Sequence, residues 1–186
     1  MEKIRGFEVA KGFENEGIVI PVRKTKYSAG YDMAAAKDII IPPYRQHYNN
    51  LSGCYPNDNS DKSLEEIAIV TKEFNIKPTL IPTGYKCYMD KGVYLQLSIR
   101  SSSPLKYWII LANGIGVIDK DYVDNPDNEG EIFFQVINFS PFPIKIKKGE
   151  IIGQATFIPY YITDDDEAEG RRIGGFGSTT VWFCYR

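Results

Sequence analysis

Glycine, proline and asparagine cut this sequence into short β-prone runs, and that punctuation restricts the fold more than any other feature. Candidate strands cover residues 18–22, 39–41, 79–81, 85–89, 94–99, 109–112, 116–118, 132–138, 144–146 and 151–158. They are rich in Ile, Val, Tyr and Phe, the side chains that pack well on a pleated surface. Within 94–99, Leu95, Leu97 and Ile99 point one way while Gln96 and Ser98 point the other, the period-two pattern of a strand with one buried face. Many short strands at this spacing predict an all-β sandwich, jelly roll or barrel. A length of 186 residues suffices for one such domain with a real core, or for a domain carrying an insertion.

One segment departs from the β pattern. In SLEEIAIVTKEF, Leu64, Ile67, Ala68 and Thr71 recur at helical spacing, with Val70 and Phe74 beside them. Ser63 followed by Glu66 forms a capping box, in which each side chain satisfies the other residue's backbone N–H at a helix start. The spacing predicts one amphipathic helix of about three turns, packed against the β core. The polar stretch before it reads as an exposed loop. Residues 43–77 together read as an insertion into a β domain spanning 1–162. The chain closes with an arm, 163–186, that opens on the acidic TDDDEAEG and continues into RRIGGFGSTT. Its glycines predict flexibility.

Composition removes several chemistries. Net charge is −2, without the basic excess of domains that bind a nucleic-acid backbone. The three cysteines, Cys54, Cys87 and Cys184, are an odd number at wide spacing with no CxxC pair, which argues against a disulfide framework or zinc site and for a reducing cytoplasm. No apolar run reaches the roughly 18 residues of a membrane span, and the N-terminal residues lack a signal-peptide core. His47, the single histidine, sits in a polar segment and reads as a solvated loop residue. There is no GxSxG elbow and no GxxxxGK[ST] loop. Acid–base chemistry, if the chain is an enzyme, falls to carboxylates.

Three clusters can carry chemistry. The arm supplies Arg171, Arg172, Phe176 between glycines, Gly177, Ser178 and further hydroxyls. Arginine and hydroxyl groups match phosphate oxygens, glycine lets the backbone approach closely, and an aromatic ring can lie on a planar base. The same composition also describes an ordinary disordered terminus. RSSSP, with Arg100, Ser101 and Ser102, ends an alternating strand and can hold a phosphate, or be a polar strand end closed by proline. In LANGIGVIDKDY, Asn113-Gly114 is a hairpin signal, because both residues tolerate positive φ. Asp119 and Asp121 would lie on opposite faces if the following strand continues. Either they cap a turn, or one of them positions a water.

Together and in order, these fragments resemble the trimeric dUTP diphosphatases, a family with five short motifs. SAGYDMAAA is similar to the first, RSSSP to the second, ANGIGVIDKDY to the third, IKKGEIIGQATF to the fourth and RRIGGFGST to the fifth. The resemblance implies a β-clip, jelly-roll subunit and a homotrimer whose sites draw motifs from different chains. It implies Mg²⁺-dependent cleavage of dUTP to dUMP and pyrophosphate, with Asp119 orienting and deprotonating the water that attacks the α-phosphorus. Arg100, Ser101, Ser102 and Gln154 would serve the phosphates. Asn113 and the Gly116, Val117 and Ile118 backbone would hold uracil. Tyr122 would pack under the deoxyribose, with Phe133 beside it. Phe176 would stack on the base, Arg171 would reach the γ-phosphate, and Gly177 and Ser178 would complete the lid. Asp32 would be structural, and the metal would be held by triphosphate and water rather than by protein ligands.

The chain also departs from the family pattern. Seven residues, VDNPDNE, separate Tyr122 from Gly130 where the family commonly has one, and Arg172 replaces a common glycine. The insertion at 43–77 and the end VWFCYR are extra. A dCTP deaminase, which shares the fold, would need a glutamate at the hairpin and would lack the glycine-rich motif with its phenylalanine. A protein partner bound through the insertions, with a regulatory purpose, is the remaining reading from a different class.

Overall fold

In the computed structural model, residues 4–46, 60–170, 172, 174 and 175 are described. Eleven strands form among them, all in antiparallel ladders. The largest sheet runs β2 (Tyr31–Ala34), β11 (Ile151–Pro159), β6 (Val93–Ile99), β8 (Gly116–Ile118). A second runs β4 (Thr79–Pro82), β9 (Phe133–Asn138), β7 (Ile109–Leu111). Two ribbons complete the fold: β1 (Gly6–Val9) with β5 (Tyr85–Tyr88), and β3 (Ile39–Ile41) with β10 (Ile144–Ile146). The all-β expectation holds.

The core forms where the larger sheets face each other. Along β9, Phe134, Val136 and Asn138 are buried while Phe133, Gln135 and Ile137 are half-buried, so the pleat itself selects the core face. Phe134 meets Met33, Leu95, Leu97 and Ala155 in one apolar cluster. Gly153 of β11 permits the close contact. A Cβ there would lie 2.1 Å from Phe134 Cε1 and 2.6 Å from the Ser98 carbonyl oxygen. Buried Asn138 is satisfied locally: its amide donates to the Ile41 carbonyl at 3.1 Å and the Phe142 carbonyl at 2.8 Å, and its oxygen accepts from Ser140 N–H at 2.8 Å.

Several expectations change. Residues 18–22 are not a strand; they form no ladder, and their contacts include Asp32 N–H donating to the Val22 carbonyl at 3.2 Å and the Tyr85 hydroxyl donating to the Val19 carbonyl at 2.8 Å. Strands β1 and β2 went unanticipated, because GFEV and YDMA are short and the Ala/Gly-rich surroundings of the second carry little β propensity. RSSSP does not merely close a strand. It opens helix α2 (Ser102–Tyr107), which follows α1 (Leu64–Glu73) in the chain. Pro104 is tolerated in the first turn of α2, where no intrahelical N–H bond is lost.

Helix α1 forms as its capping box predicts, with Glu66 N–H donating to Ser63 Oγ at 3.2 Å and Ser63 N–H donating to Glu66 Oε2 at 2.8 Å. It is not packed on the core, however. None of its residues is buried, and Leu64 is 84% exposed. The capping signals are local, so they fix the helix without specifying a surface for its apolar side. No helix among the described residues is long and apolar enough to cross a membrane. His47, Cys54 and Cys184 lie outside the described residues.

Gly153→Ala tests the core contact. Overpacking of this kind costs about 1–3 kcal/mol or more, so the variant is expected to lose several degrees of Tm in a thermal melt. An unchanged Tm would show that β11 and β9 are not in close contact there.

Candidate functional site

The Asn113-Gly114 turn does not join two paired strands. β7 pairs with β9 and β8 with β6, so the turn carries the chain from one sheet to the other. Gly114 adopts φ 73°, and the turn is held by Gly114 N–H on the Leu111 carbonyl at 3.1 Å and Ile115 N–H on the Asn113 carbonyl at 2.8 Å. Divergence of β7 and β8 leaves a cavity of about 420 Å³, a size suited to a small organic ligand. Asn113, Gly116, Val117, Ile118, Asp119, Tyr122 and Phe133, all anticipated from the sequence, line it together. Leu97, Leu111 and Gln135 were missed; the two leucines follow the core pattern and Gln135 lies on the half-buried face of β9, and their cavity role exists only because the sheets part here. Gly116 is required by packing, since a Cβ would come within 3.0 Å of Leu97. Because β8 pairs on one side only, its outer main chain offers donors and acceptors to a ligand.

The strand ends at Ile118 rather than continuing. Asp119 leads into a 3₁₀ turn, Lys120–Tyr122, closed by Tyr122 N–H on the Asp119 carbonyl at 3.1 Å. Asp119 occupies the N-cap position, yet its side chain makes no capping bond, so turn capping does not account for it. The turn brings Asp119 and Asp121 to the same cation instead of to opposite faces. Arg172 of the arm donates Nε to Asp121 Oδ1 at 2.9 Å and Nη2 to Asp119 Oδ2. Its guanidinium carbon also lies 6.0 Å from the Tyr122 ring centroid. Gly175 packs on the same ring, where a Cβ would fall 2.9 Å from Tyr122 Cε2.

Tyr122 is buried, and its hydroxyl donates to the Glu131 carbonyl at 3.0 Å. Burial raises its pKa above the ordinary tyrosine value, opposed by the hydrogen bond from Asn128. Glu131 is also buried, and desolvation raises its pKa while the Gly84 N–H bond to Oε1 at 3.1 Å opposes the rise.

The remaining expected residues lie elsewhere in the chain. Arg100 and Ser102 line a separate cavity of about 390 Å³ with Ile99, Ile144, Ile146 and Ile151. Ser101 is exposed at the N-cap of α2 and makes no capping bond. Across the large sheet, Asp32, Gln154 and Ser98 form one row, and a Cβ on Gly30 would strike Gln154 Oε1 at 2.1 Å. Asp32 borders a third cavity beside Val19 and Val22. Arg171, Phe176, Gly177 and Ser178 lie outside the described residues. Among the described residues no group of three or more His, Cys, Asp or Glu converges as a metal-ligand set. Asp119 is the carboxylate that lines the cavity, with Asp121 joined to it through Arg172, a donor set that fits a cation arriving with phosphate and water ligands.

Fold and cleft define a class: a small all-β domain with a ligand-sized cavity between splayed sheets and a carboxylate, Asp119, in its lining. The sequence profile of the dUTPase family matches residues 65–180. The deoxyuridine 5'-triphosphate nucleotidohydrolase of Lactococcus lactis subsp. lactis is 42% identical over 179 residues, covering 95% of this chain and 98% of that protein. The crystal structure of the Streptococcus mutans dUTPase superposes with a TM-score of 0.65 at 32% identity, over 86% of this chain and 99% of that one. A phage phi11 dUTPase structure, described as coordinating a structural Mg(II) ion, shares the fold at TM-score 0.56 and 15% identity, over 90% of this chain and 98% of that one. The chain belongs to the dUTPase family.

Arg172→Ala removes a partly exposed cation shared by two carboxylates, a contact worth about 0.2–1 kcal/mol. Limited proteolysis of the arm is expected to quicken by about two- to five-fold. An unchanged cleavage rate would show that Arg172 does not hold the arm to the Asp119 turn.

Proposed function

We propose that this protein hydrolyses dUTP to dUMP and pyrophosphate at the cavity between β7 and β8, with Asp119 as the group that orients and deprotonates the attacking water. The observation that carries the reading is Asp119 itself: it stands at the cavity wall of a dUTPase-family chain, unused as a turn cap. A carboxylate there accepts the water proton as the oxygen closes on the α-phosphorus. Mg²⁺, when bound through the triphosphate, neutralises phosphate charge that would otherwise repel the nucleophile. Arg172 engages Asp119 in the free protein, so its guanidinium must leave that oxygen before the water can be held.

Uracil is recognised by the Asn113 side chain and the free edge of β8, Gly116–Ile118. Their main-chain donors and acceptors match a base edge, and the close walls exclude a 5-methyl group. Tyr122 and Phe133 form the sugar floor. Arg100, Ser101, Ser102 and Gln154 bind phosphate oxygens, and Asp32 supports Gln154 from the neighbouring strand. In one chain Arg100 and Ser102 line a different cavity from Asp119, which supports a homotrimer in which neighbouring subunits complete each site. Exposed Leu105, Tyr107, Trp108 and Ile110 around motif two supply apolar surface for such contacts. Arg171, Phe176, Gly177 and Ser178 close over base and phosphates as a lid. We place the enzyme in the cytoplasm, consistent with its widely spaced cysteines.

A regulatory protein partner is a second reading. It rests on Leu64, Ile67 and Ile69, whose apolar side chains α1 leaves exposed.

Pyrophosphate release from dUTP, dCTP, dTTP and UTP tests the assignment. With Mg²⁺, dUTP is expected to be the preferred substrate, and chelation of the metal is expected to abolish turnover. Asp119→Asn is expected to lose about 10²–10⁴-fold in kcat. Equal turnover by the two proteins would remove Asp119 from the mechanism, and ammonia release from dCTP would move the chain to the deaminase branch. Deleting residues 171–186 is expected to remove most turnover with the trimer intact; full activity in that variant would refute the lid.

A further inference from the structure

The seven residues that separate Tyr122 from Gly130 are a built support. Asn125 is buried, and its amide donates to the Tyr122 carbonyl at 2.8 Å and to Asn128 Oδ1 at 2.8 Å. Its own oxygen accepts from Asp127 N–H at 3.0 Å and Asn128 N–H at 3.2 Å, the side-chain-capped turn that Asn favours. Asn128 Oδ1 also accepts from Gly130 N–H at 3.1 Å. Asp124 and Glu129 adopt φ 56° and 59°, and Asp124 N–H donates to the Glu129 carbonyl at 3.1 Å, so the loop closes on itself. Lys86 ties it to β5 through Asp124 Oδ1 at 2.6 Å and Glu129 Oε1 at 3.3 Å.

All of this converges on one ring. Asn128 Nδ2 donates to the Tyr122 hydroxyl at 2.7 Å, while that hydroxyl donates to the Glu131 carbonyl at 3.0 Å. The phenol is therefore held by a donor and an acceptor at one end, and by Asn125 on its backbone carbonyl at the other. Gly175 packs beside the same end of the ring, where a Cβ would lie 2.9 Å from Cε2 and 3.3 Å from the hydroxyl oxygen.

We propose that Asn128 is a positioning residue that fixes Tyr122 against the sugar and thereby sets discrimination between 2′-deoxy and 2′-hydroxy nucleotides. This deepens the proposed function and rests on the placement of Tyr122 beneath the deoxyribose. A ring that forms a steric floor excludes one hydroxyl only if it cannot tilt. With Asn128's donor removed, the phenol keeps one partner and can rotate away from the sugar. The loss then falls on exclusion of UTP.

Asn128→Asp is the informative variant, because the carboxylate keeps the acceptor used by Gly130 and Asn125 and loses the Nδ2 donor, which serves the Tyr122 hydroxyl at 2.7 Å and, at the longer 3.5 Å, the Glu131 carbonyl. The ratio of kcat/KM for UTP over dUTP is expected to rise about three- to ten-fold, the worth of one buried hydrogen bond. Tyr122→Phe is expected to raise it similarly, and the double variant is expected to match Tyr122→Phe alone, since both changes break the same bond. Tm and trimer size, measured alongside, separate this from misfolding. Additive effects in the double variant overturn the proposal. An unchanged ratio in Asn128→Asp, with a raised ratio in Tyr122→Ala, overturns the positioning role and leaves the sugar reading standing. An unchanged ratio in Tyr122→Ala removes the sugar reading and the proposal with it.

Discussion

The contact between Gly153 and the Phe134 ring sets the spacing on which the rest of the molecule depends. Facing sheets fill their shared core at close-packed density, so a bulky ring from one needs a matching gap on the other. β11 provides that gap because position 153 has no Cβ, and β11 also lies between β2 and β6 in the larger sheet. Asp32, Gln154 and Ser98 are thereby set in one row. The same economy recurs at Gly116, which lets β8 lie on Leu97. Beyond that point the sheets separate at the Asn113-Gly114 turn, and the cavity is the space they leave.

Charge gives the cavity its second property. Asp119 and Asp121 converge because a 3₁₀ turn, rather than a strand, follows Ile118, and Arg172 answers both carboxylates from the arm. An arginine satisfied by carboxylates is equally suited to phosphate oxygens, since both present paired acceptors to a planar fork. Under the proposed function, substrate phosphates compete with Asp119 for the arm's cations. Freeing Asp119 and closing the arm are then parts of one exchange.

Alternating strands were legible from sequence because burial on one face writes itself into period two. β6, β9 and β10 fell where the pattern put them. β2 was not legible: YDMA has no strong preference, and pairing with β11 imposes its conformation. The course of 18–22 misled for the opposite reason: it is β-prone in composition, yet it meets the edge of β2 through the Asp32 N–H bond to the Val22 carbonyl and builds no ladder there. α2 was hidden by Pro104, a residue that ends most helices but opens some. For the site, Asn113 through Tyr122 were legible as one contiguous run. Gln135 and Asn128 were not, because nothing local to either residue indicates which cavity or hydroxyl it will meet. The resemblance to known motifs could place the shared residues; it had nothing to say about a loop that the motif pattern lacks.

That loop shows how an extension of the chain can become part of a site. Lengthening a connection costs little in closure entropy, because the cost grows only with the logarithm of length. Lys86 then makes the added residues worth ordering. Burial alone would lower its pKa, but the hydrogen bonds that its ammonium donates to Asp124 and Glu129 reverse the effect and raise it above the usual lysine value. A lysine whose folded pKa is raised contributes stability throughout the range below its unfolded pKa, and loses it only as pH climbs through the folded value. The anchor therefore does not weaken near neutrality. Removing Asp124 or Glu129 would leave a buried ammonium short of partners, so the loop and β5 each stabilise the other's charge. Asn128 hangs from this anchored frame, which is why a surface insertion can hold a phenol hydroxyl in place at the cavity wall.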